Sequence, residues 1–270
     1  MPRMLITGVS SGIGNALARR AVADGWEVVG TVRSETRPEA YGLPSSVGLE
    51  PFDAAVPGAA RELAERVLER AGCPDVLVNN AGAVLYGPVE EIAPERVRNL
   101  FQVNVFSPIE LVAALAPAMR ERGSGTIVNV TSLGGRMVFP FFTAYNATKH
   151  ALEGFSEGLW HELKPFGIRV KAVEPGYVET PIYRAMEERE RPFGPYAKYL
   201  EAMNRFSENV RKRTAPEDAA DQIMRAILDE SDRLRYPIAA YARPLLAARA
   251  VLGAQRVMRF MHSRWMGRDA

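Results

Sequence analysis

The chain has 270 residues, 47% of them hydrophobic and 24% charged, with a formal net charge of +2 and one cysteine. A chain of this length can fold as a single α/β domain that buries roughly three quarters of its unfolded surface, and this balance is that of a soluble globular protein with no repeat, low-complexity block or membrane-length apolar run. Cys73, in an Ala-Gly-Cys-Pro turn with no histidine beside it, excludes an intramolecular disulfide framework and reads as a structural thiol.

Apolar segments of strand length alternate with helical ones, the pattern of a parallel sheet covered on both faces. Strands are expected near residues 4–7, 27–32, 47–51, 75–79, 126–131, 169–173 and 234–236. Helices are expected near 12–24, 54–71, 94–104, 108–122, 144–164 and 216–229, with Pro94, Pro108 and Pro216 at first-turn positions that tolerate proline. The amino terminus enters its first strand with no charged-then-apolar leader, so a cytoplasmic location is expected. At the other end, eight arginines and a single acid, Asp269, follow position 232, leaving a body of net −5 and a tail of net +7. Such a tail is either an amphipathic helix with solvated arginines or a contact for an anionic partner or membrane surface. No recognition module or basic aromatic patch accompanies it, so nucleic acid is not expected.

Two segments carry chemistry. The run Met4-Leu5-Ile6-Thr7 breaks into Gly8-Val9-Ser10-Ser11-Gly12-Ile13-Gly14 and then into a helical segment. Glycines there let backbone approach backbone and leave the free N–H groups of a helix N-terminus facing a phosphate. In Tyr145-Asn-Ala-Thr-Lys149 a phenol and an ammonium share one helix face. A neighbouring cation favours the phenolate, which would bring proton exchange nearer neutral pH. His150 and His161 lie on that same segment without metal-ligand spacing or an accompanying acid motif, and no metal is expected.

Thr7-Gly-x-x-x-Gly12-x-Gly14, Asn79-Asn80-Ala81-Gly82, Asn104, Ser132, Tyr145-x-x-x-Lys149 and Pro175-Gly176 together resemble, in order and spacing, the short-chain dehydrogenases/reductases. The resemblance is continuous over about residues 3–180. It implies a single-domain Rossmann-type doubly wound fold with a seven-stranded parallel sheet. It also implies an oxidoreductase acting on CH–OH groups with a nicotinamide cofactor. Residues 1–180 would form the cofactor and catalytic core, 181–215 a substrate lid and 233–270 a basic extension. Ser132, Tyr145, Lys149 and Asn104 would be the catalytic set. Tyr145 would be the acid in reduction, Lys149 would lower its pKa and bind the nicotinamide ribose, and Asn104 would interrupt its helix and hold a water. Gly8, Ser10, Ser11, Gly12, Ile13 and Gly14 would cradle the pyrophosphate. Asp53, Asn80, Ala81 and Gly82 would take the adenosine side, with Pro175, Gly176, Val178 and Thr180 at the nicotinamide. Val32 stands where an NAD enzyme would show an acid, and Arg33 follows it. A guanidinium suits a 2′-phosphate, so NADP(H) is expected, with NAD(H) as the alternative.

The stretch between Ser132 and Tyr145 is rich in large apolar side chains, which implies an apolar pocket. Tyr86 and Tyr177 are either its aromatic walls or ordinary packing. Further likeness to the estradiol-type hydroxysteroid and retinol dehydrogenase branch implies a lipophilic ketone or alcohol as substrate. The segments 108–122 and 144–164 are apolar on more than one face, with Ala151, Gly154 and Gly158 on the latter. They would form a homodimer or homotetramer contact, or else be covered by the lid and tail. A non-catalytic cofactor-binding sensor or scaffold is the rival class. Loss of Ser132, Tyr145 or Lys149 would mark it, and all three are present.

Overall fold

The computed structural model describes residues 1–34, 36–183, 194–197, 199, 214–239 and 241–265. Among them, seven strands form one parallel sheet: β1 (Arg3–Ile6), β2 (Glu27–Val32), β3 (Gly48–Pro51), β4 (Val76–Asn79), β5 (Gly125–Val130), β6 (Ile168–Pro175) and β7 (Arg235–Ile238). Their spatial order is β3-β2-β1-β4-β5-β6-β7, every neighbouring pair parallel. The fold is therefore the expected doubly wound Rossmann-type sheet.

Side chains on a strand alternate between faces, and here both faces are apolar. Met4 and Ile6, Val76 and Val78, Val128 and Val130 point to one layer, where they pack with helices α1 (Gly12–Ala23) and α6 (Pro216–Leu228). Leu5, Leu77 and Ile127 point to the other. There they meet α2 (Ala59–Ala71), α4 (Ser107–Arg122) and α5 (Thr143–Leu163). Residues 54–58, expected to be helical, form the turn before α2, which starts only after Gly58 at φ +83.

The helices near 94–104 and 108–122 are not separate. Helix α3 (Pro94–Phe101) passes through a π-helical turn, Gln102–Phe106, straight into α4. Pro108 has no N–H to close on the Asn104 carbonyl, and the Ser107 N–H instead reaches back five residues to Gln102 O. The run Pro94–Arg122 is long and apolar enough to cross a membrane by composition, yet Leu111, Leu115 and Met119 lie in the sheet-facing core, as in a buried helix of a globular fold. The tail forms two helices, α7 (Ala242–Leu252) and α8 (Ala254–Trp265), broken at Gly253. Most of the expected lid, residues 184–193 and 200–213, falls outside the described residues.

The tightest backbone approach is at the β1–α1 turn. A Cβ on Gly14 would sit 2.2 Å from Gly8 O and 2.4 Å from Asn80 Nδ2. Gly14→Ala should therefore destabilise the protein by about 1–3 kcal/mol, lowering the melting temperature by roughly 2–4 °C per kcal/mol. An unchanged melting curve would mean that this turn opens freely.

Candidate functional site

A cavity of about 550 Å³ lies beyond the carboxyl ends of the strands, where the order reverses between β1 and β4. Gly8, Ser10, Ser11, Gly12 and Ile13 form one wall. Gly8 (φ +73) and Gly12 (φ +58) hold left-handed backbone that favours glycine. A Cβ on Gly12 would meet Thr180 at 3.0 Å, and one on Gly8 would meet the Ala81 backbone at 3.0 Å. Ser11 caps α1 without a side-chain hydrogen bond, so the first amides of this 12-residue helix keep their donors for an anion. Gly14 is not part of the wall; it serves the backbone packing behind it.

Polar side chains brace this wall. Thr7 Oγ1 accepts from Asn80 N at 3.0 Å and Ala81 N at 2.9 Å, and Thr31 Oγ1 accepts from Gly8 N at 3.0 Å. Asn80 Nδ2 donates to Thr7 O and Gly8 O, which spends its amide within the turn. Asn79 is structural too, donating to Asn129, which in turn donates to Ser156. Arg33 and Asp53 also line the cavity. Asp53 Oδ1 accepts from Ala55 N, while Arg33 makes no ion pair or hydrogen bond among the described residues. Ala81, Gly82, Pro175, Gly176, Val178 and Thr180 also line the cavity.

Ser132, Tyr145 and Lys149 meet at the inner end of the same cavity. Ser132 follows β5, and its Oγ accepts from Gly134 N at 2.9 Å, fixing the turn. The Ser132 hydroxyl faces the Tyr145 phenol. Burial pushes the Tyr145 pKa up, with the Ser132 hydroxyl opposing it. This corrects the expectation that Lys149 draws the phenol down. The Lys149 ammonium is instead held on Val130 O at 3.0 Å, 5.9 Å from the centre of the Tyr145 ring. Its own pKa falls to about 8, lowered by burial and partly restored by Glu153. Asn104 is buried outside the lining. Its Oδ1 accepts from Ala83 N at 2.8 Å, and its Nδ2 donates to Ala83 O and Thr148 Oγ1. The helix is bulged there rather than interrupted.

Beside Tyr145 lies an apolar cluster. Tyr86 is buried, 4.8 Å from Phe142 and 6.1 Å from Phe141 between ring centres, and Phe142 stands edge-on to Tyr145 at 6.2 Å. Phe141 holds φ +64, strained backbone for an aromatic residue, and its carbonyl accepts from Gly87 N at 2.8 Å. Leu133 and Met137 belong to the same cluster. Among the described residues no group of three potential metal ligands exists, and His150 Nδ1 sits 2.8 Å from the Asn146 carbonyl of its own helix.

Residues 2–191 match the family model for short chain dehydrogenases. A short-chain dehydrogenase from Streptomyces avermitilis, of known structure, has a TM-score of 0.81 to this chain at 36% identity, covering 96% of each. The chain belongs to the short-chain dehydrogenase family. An uncharacterized oxidoreductase of Schizosaccharomyces pombe is 37% identical over 190 residues, covering 69% of this chain and 79% of its own. The NADPH-dependent 3-dehydrocapnine reductase of Ornithobacterium rhinotracheale is 29% identical over 248 residues, 87% of each chain. As a short-chain dehydrogenase the protein is an oxidoreductase acting on CH–OH groups.

Several residues of this short-chain dehydrogenase site were not singled out from the sequence. Asn99 and Val103, four apart on the α3 side, line the cavity; their i, i+4 spacing on one helix face was the available signal. Glu174 is fully buried just before Pro175, with Oε1 facing Arg136 at 3.3 Å and Arg235 at 3.4 Å. Arg235 also donates to Glu153 at 3.0 Å. Glu174 Oε2 and Glu153 Oε1 have no hydrogen-bond partner among the described residues. Burial first, then Glu153, raise the Glu174 pKa to about 7 against the pull of both arginines. An acid with a raised native pKa gives stability that is present below its ordinary value of 4.5 and lost as pH climbs to about 7. Melting temperatures of Glu174→Gln and of the unaltered protein, measured across this window, should diverge in favour of the variant as pH rises. A constant difference would show that Glu174 stays ionised throughout.

Proposed function

We propose that the protein interconverts a lipophilic ketone or aldehyde and its alcohol with NADP(H). The observation that carries this reading is the Ser132–Tyr145 hydroxyl pair, with Lys149 behind it, at the inner end of the cavity whose outer wall is the glycine turn. Reduced nicotinamide, held by the glycine turn and Lys149, would supply the hydride for the carbonyl carbon. The raised pKa keeps Tyr145 protonated at neutral pH, so its hydroxyl can donate a proton to the carbonyl oxygen as the hydride arrives. Ser132 donates a hydrogen bond to that oxygen and lowers the cost of its developing charge. With a pKa of about 8, Lys149 is poised to exchange a proton with the phenol's surroundings after each turnover. In oxidation the same groups act in reverse.

The uncapped start of α1 fits a pyrophosphate, and Arg33, without a partner among the described residues, fits a 2′-phosphate. The NADPH dependence of the Ornithobacterium relative supports that choice. The aromatic cluster beside Tyr145 favours a steroid-, retinoid- or long-chain-like substrate, in keeping with the estradiol-type and retinol dehydrogenase branch. Assembly as a homodimer or homotetramer would use the outer face of α5, where a Cβ on Gly154 or Gly158 meets nothing within 4 Å.

Tyr145→Phe should lower kcat about 10²- to 10⁴-fold while leaving the NADPH dissociation constant nearly unchanged. A variant that turns over normally would remove the proposed proton donor. Arg33→Ala should weaken NADPH binding about 10- to 100-fold, the value of charge-assisted hydrogen bonds, and barely alter NADH binding. Equal losses for both cofactors, read by fluorescence titration, would end the 2′-phosphate assignment. A spectrophotometric screen with NADPH across steroids, retinoids, aliphatic ketones and sugars tests the substrate class; turnover confined to sugars would contradict the lipophilic-substrate reading.

A further inference from the structure

The tail turns one narrow stripe inward and leaves an unusual surface outward. Val257 and Met261, one helical turn apart on α8, and Leu246 on α7 join the apolar cluster that contains Met137 and Phe141. Four other large apolar side chains of the two helices stand in solvent: Val251 is 83% exposed, Phe260 69%, Leu252 51% and Met258 48%. Arg256, Arg259 and Arg264 are exposed among them and make no ion pair or hydrogen bond among the described residues. Between Arg233 and Trp265 the sequence contains no aspartate or glutamate, so nothing along this segment neutralises them.

A solvated amphipathic helix buries its apolar residues and shows polar ones to water. Single exposed hydrophobic residues need no explanation. Four of them within ten positions, interleaved with guanidinium groups that have no partner among the described residues, match the composition of a helix that lies in a lipid interface. We propose that α7 and α8 form a docking surface for an anionic lipid bilayer. Phe260, Met258, Val251 and Leu252 enter the boundary between headgroups and acyl chains, and Arg256, Arg259 and Arg264 pair with lipid phosphates.

Charge selects this occupant. A symmetric contact with a second copy would set like-charged arginine faces against each other. A nucleic acid backbone would satisfy the arginines and leave the apolar side chains in water. An anionic bilayer answers both features at once. Because α8 shares a cluster with Met137 and Phe141, docking would bring the aromatic cluster beside Tyr145 close to the membrane. The docking surface does not depend on the substrate reading.

The full-length protein is sedimented with vesicles of phosphatidylcholine, and with vesicles in which part of that lipid is replaced by phosphatidylglycerol, at low and high salt. Binding is expected only with phosphatidylglycerol and should weaken as salt rises. Arg256→Gln, Arg259→Gln and Arg264→Gln combined should reduce it about 100-fold, from roughly fivefold per cation. Phe260→Ser should reduce it at least about tenfold. Turnover of a water-soluble ketone with NADPH, unchanged in both variants, confirms that they are folded and separates this test from that of the catalytic reading. Equal sedimentation with both vesicle types, or undiminished binding by the arginine variant, would overturn the proposal. So would a concentration-dependent dimer that the substitutions dissolve, or a preference for duplex DNA over the anionic vesicles.

Discussion

Everything on the glycine-turn side of the cavity rests on how the ends of β1 and β4 are locked together. The Thr7 hydroxyl accepts the amides of Asn80 and Ala81, and the Asn80 amide reaches back to the carbonyls of Thr7 and Gly8. Gly14 can then lie directly on Gly8 O, with no room for a side chain. Adjacent strands diverge in connection at this point, so the crevice exists because of topology, and the hydrogen bonds give it fixed walls. A looser turn would leave the first amides of α1 without a defined direction.

At the Tyr145 end of the cavity, burial dominates the electrostatics. It raises the Tyr145 phenol and the Glu174 carboxyl and lowers the Lys149 ammonium, in each case disfavouring charge. The result is a phenol that keeps its proton and a lysine that can lose one, close together around a cavity. Glu153 and Glu174 lie beneath the turn that carries Ser132: a Cβ on Gly135 would come within 3.0 Å of Glu153 and 2.9 Å of the Lys149 carbonyl. Ion pairs with Arg136 and Arg235 hold these acids in place, tying the ends of β6 and β7 to α5.

The sheet was legible because its strands are short apolar runs, several of them ending abruptly in glycine, asparagine or proline, and the cavity lies where those runs end. The spacing of Ser132, Tyr145 and Lys149 conveyed their convergence for a similar reason: two of them share a helix and the third closes the adjacent strand. The Glu174 cluster could not be read this way, since Arg136 and Arg235 lie 38 and 61 positions from it and become partners only across the folded sheet. The direction of the Tyr145 shift was missed because a sequence shows that a cation is nearby but not where it points. Lys149 turns toward Val130 O. The outward apolar residues of the tail were similarly hidden, because helical spacing says which residues share a face and leaves open how wide a stripe the body covers.

The π-helical turn at Gln102–Phe106 has a geometric result. One residue more than a regular turn requires rotates everything after it by about 100° around the axis. That rotation lets a single rod do two jobs: Asn99 and Val103 look into the crevice, while Leu111, Leu115 and Met119 are aimed at the sheet. An imino acid at position 108 thus sets the angular phase between recognition and packing along one continuous helix.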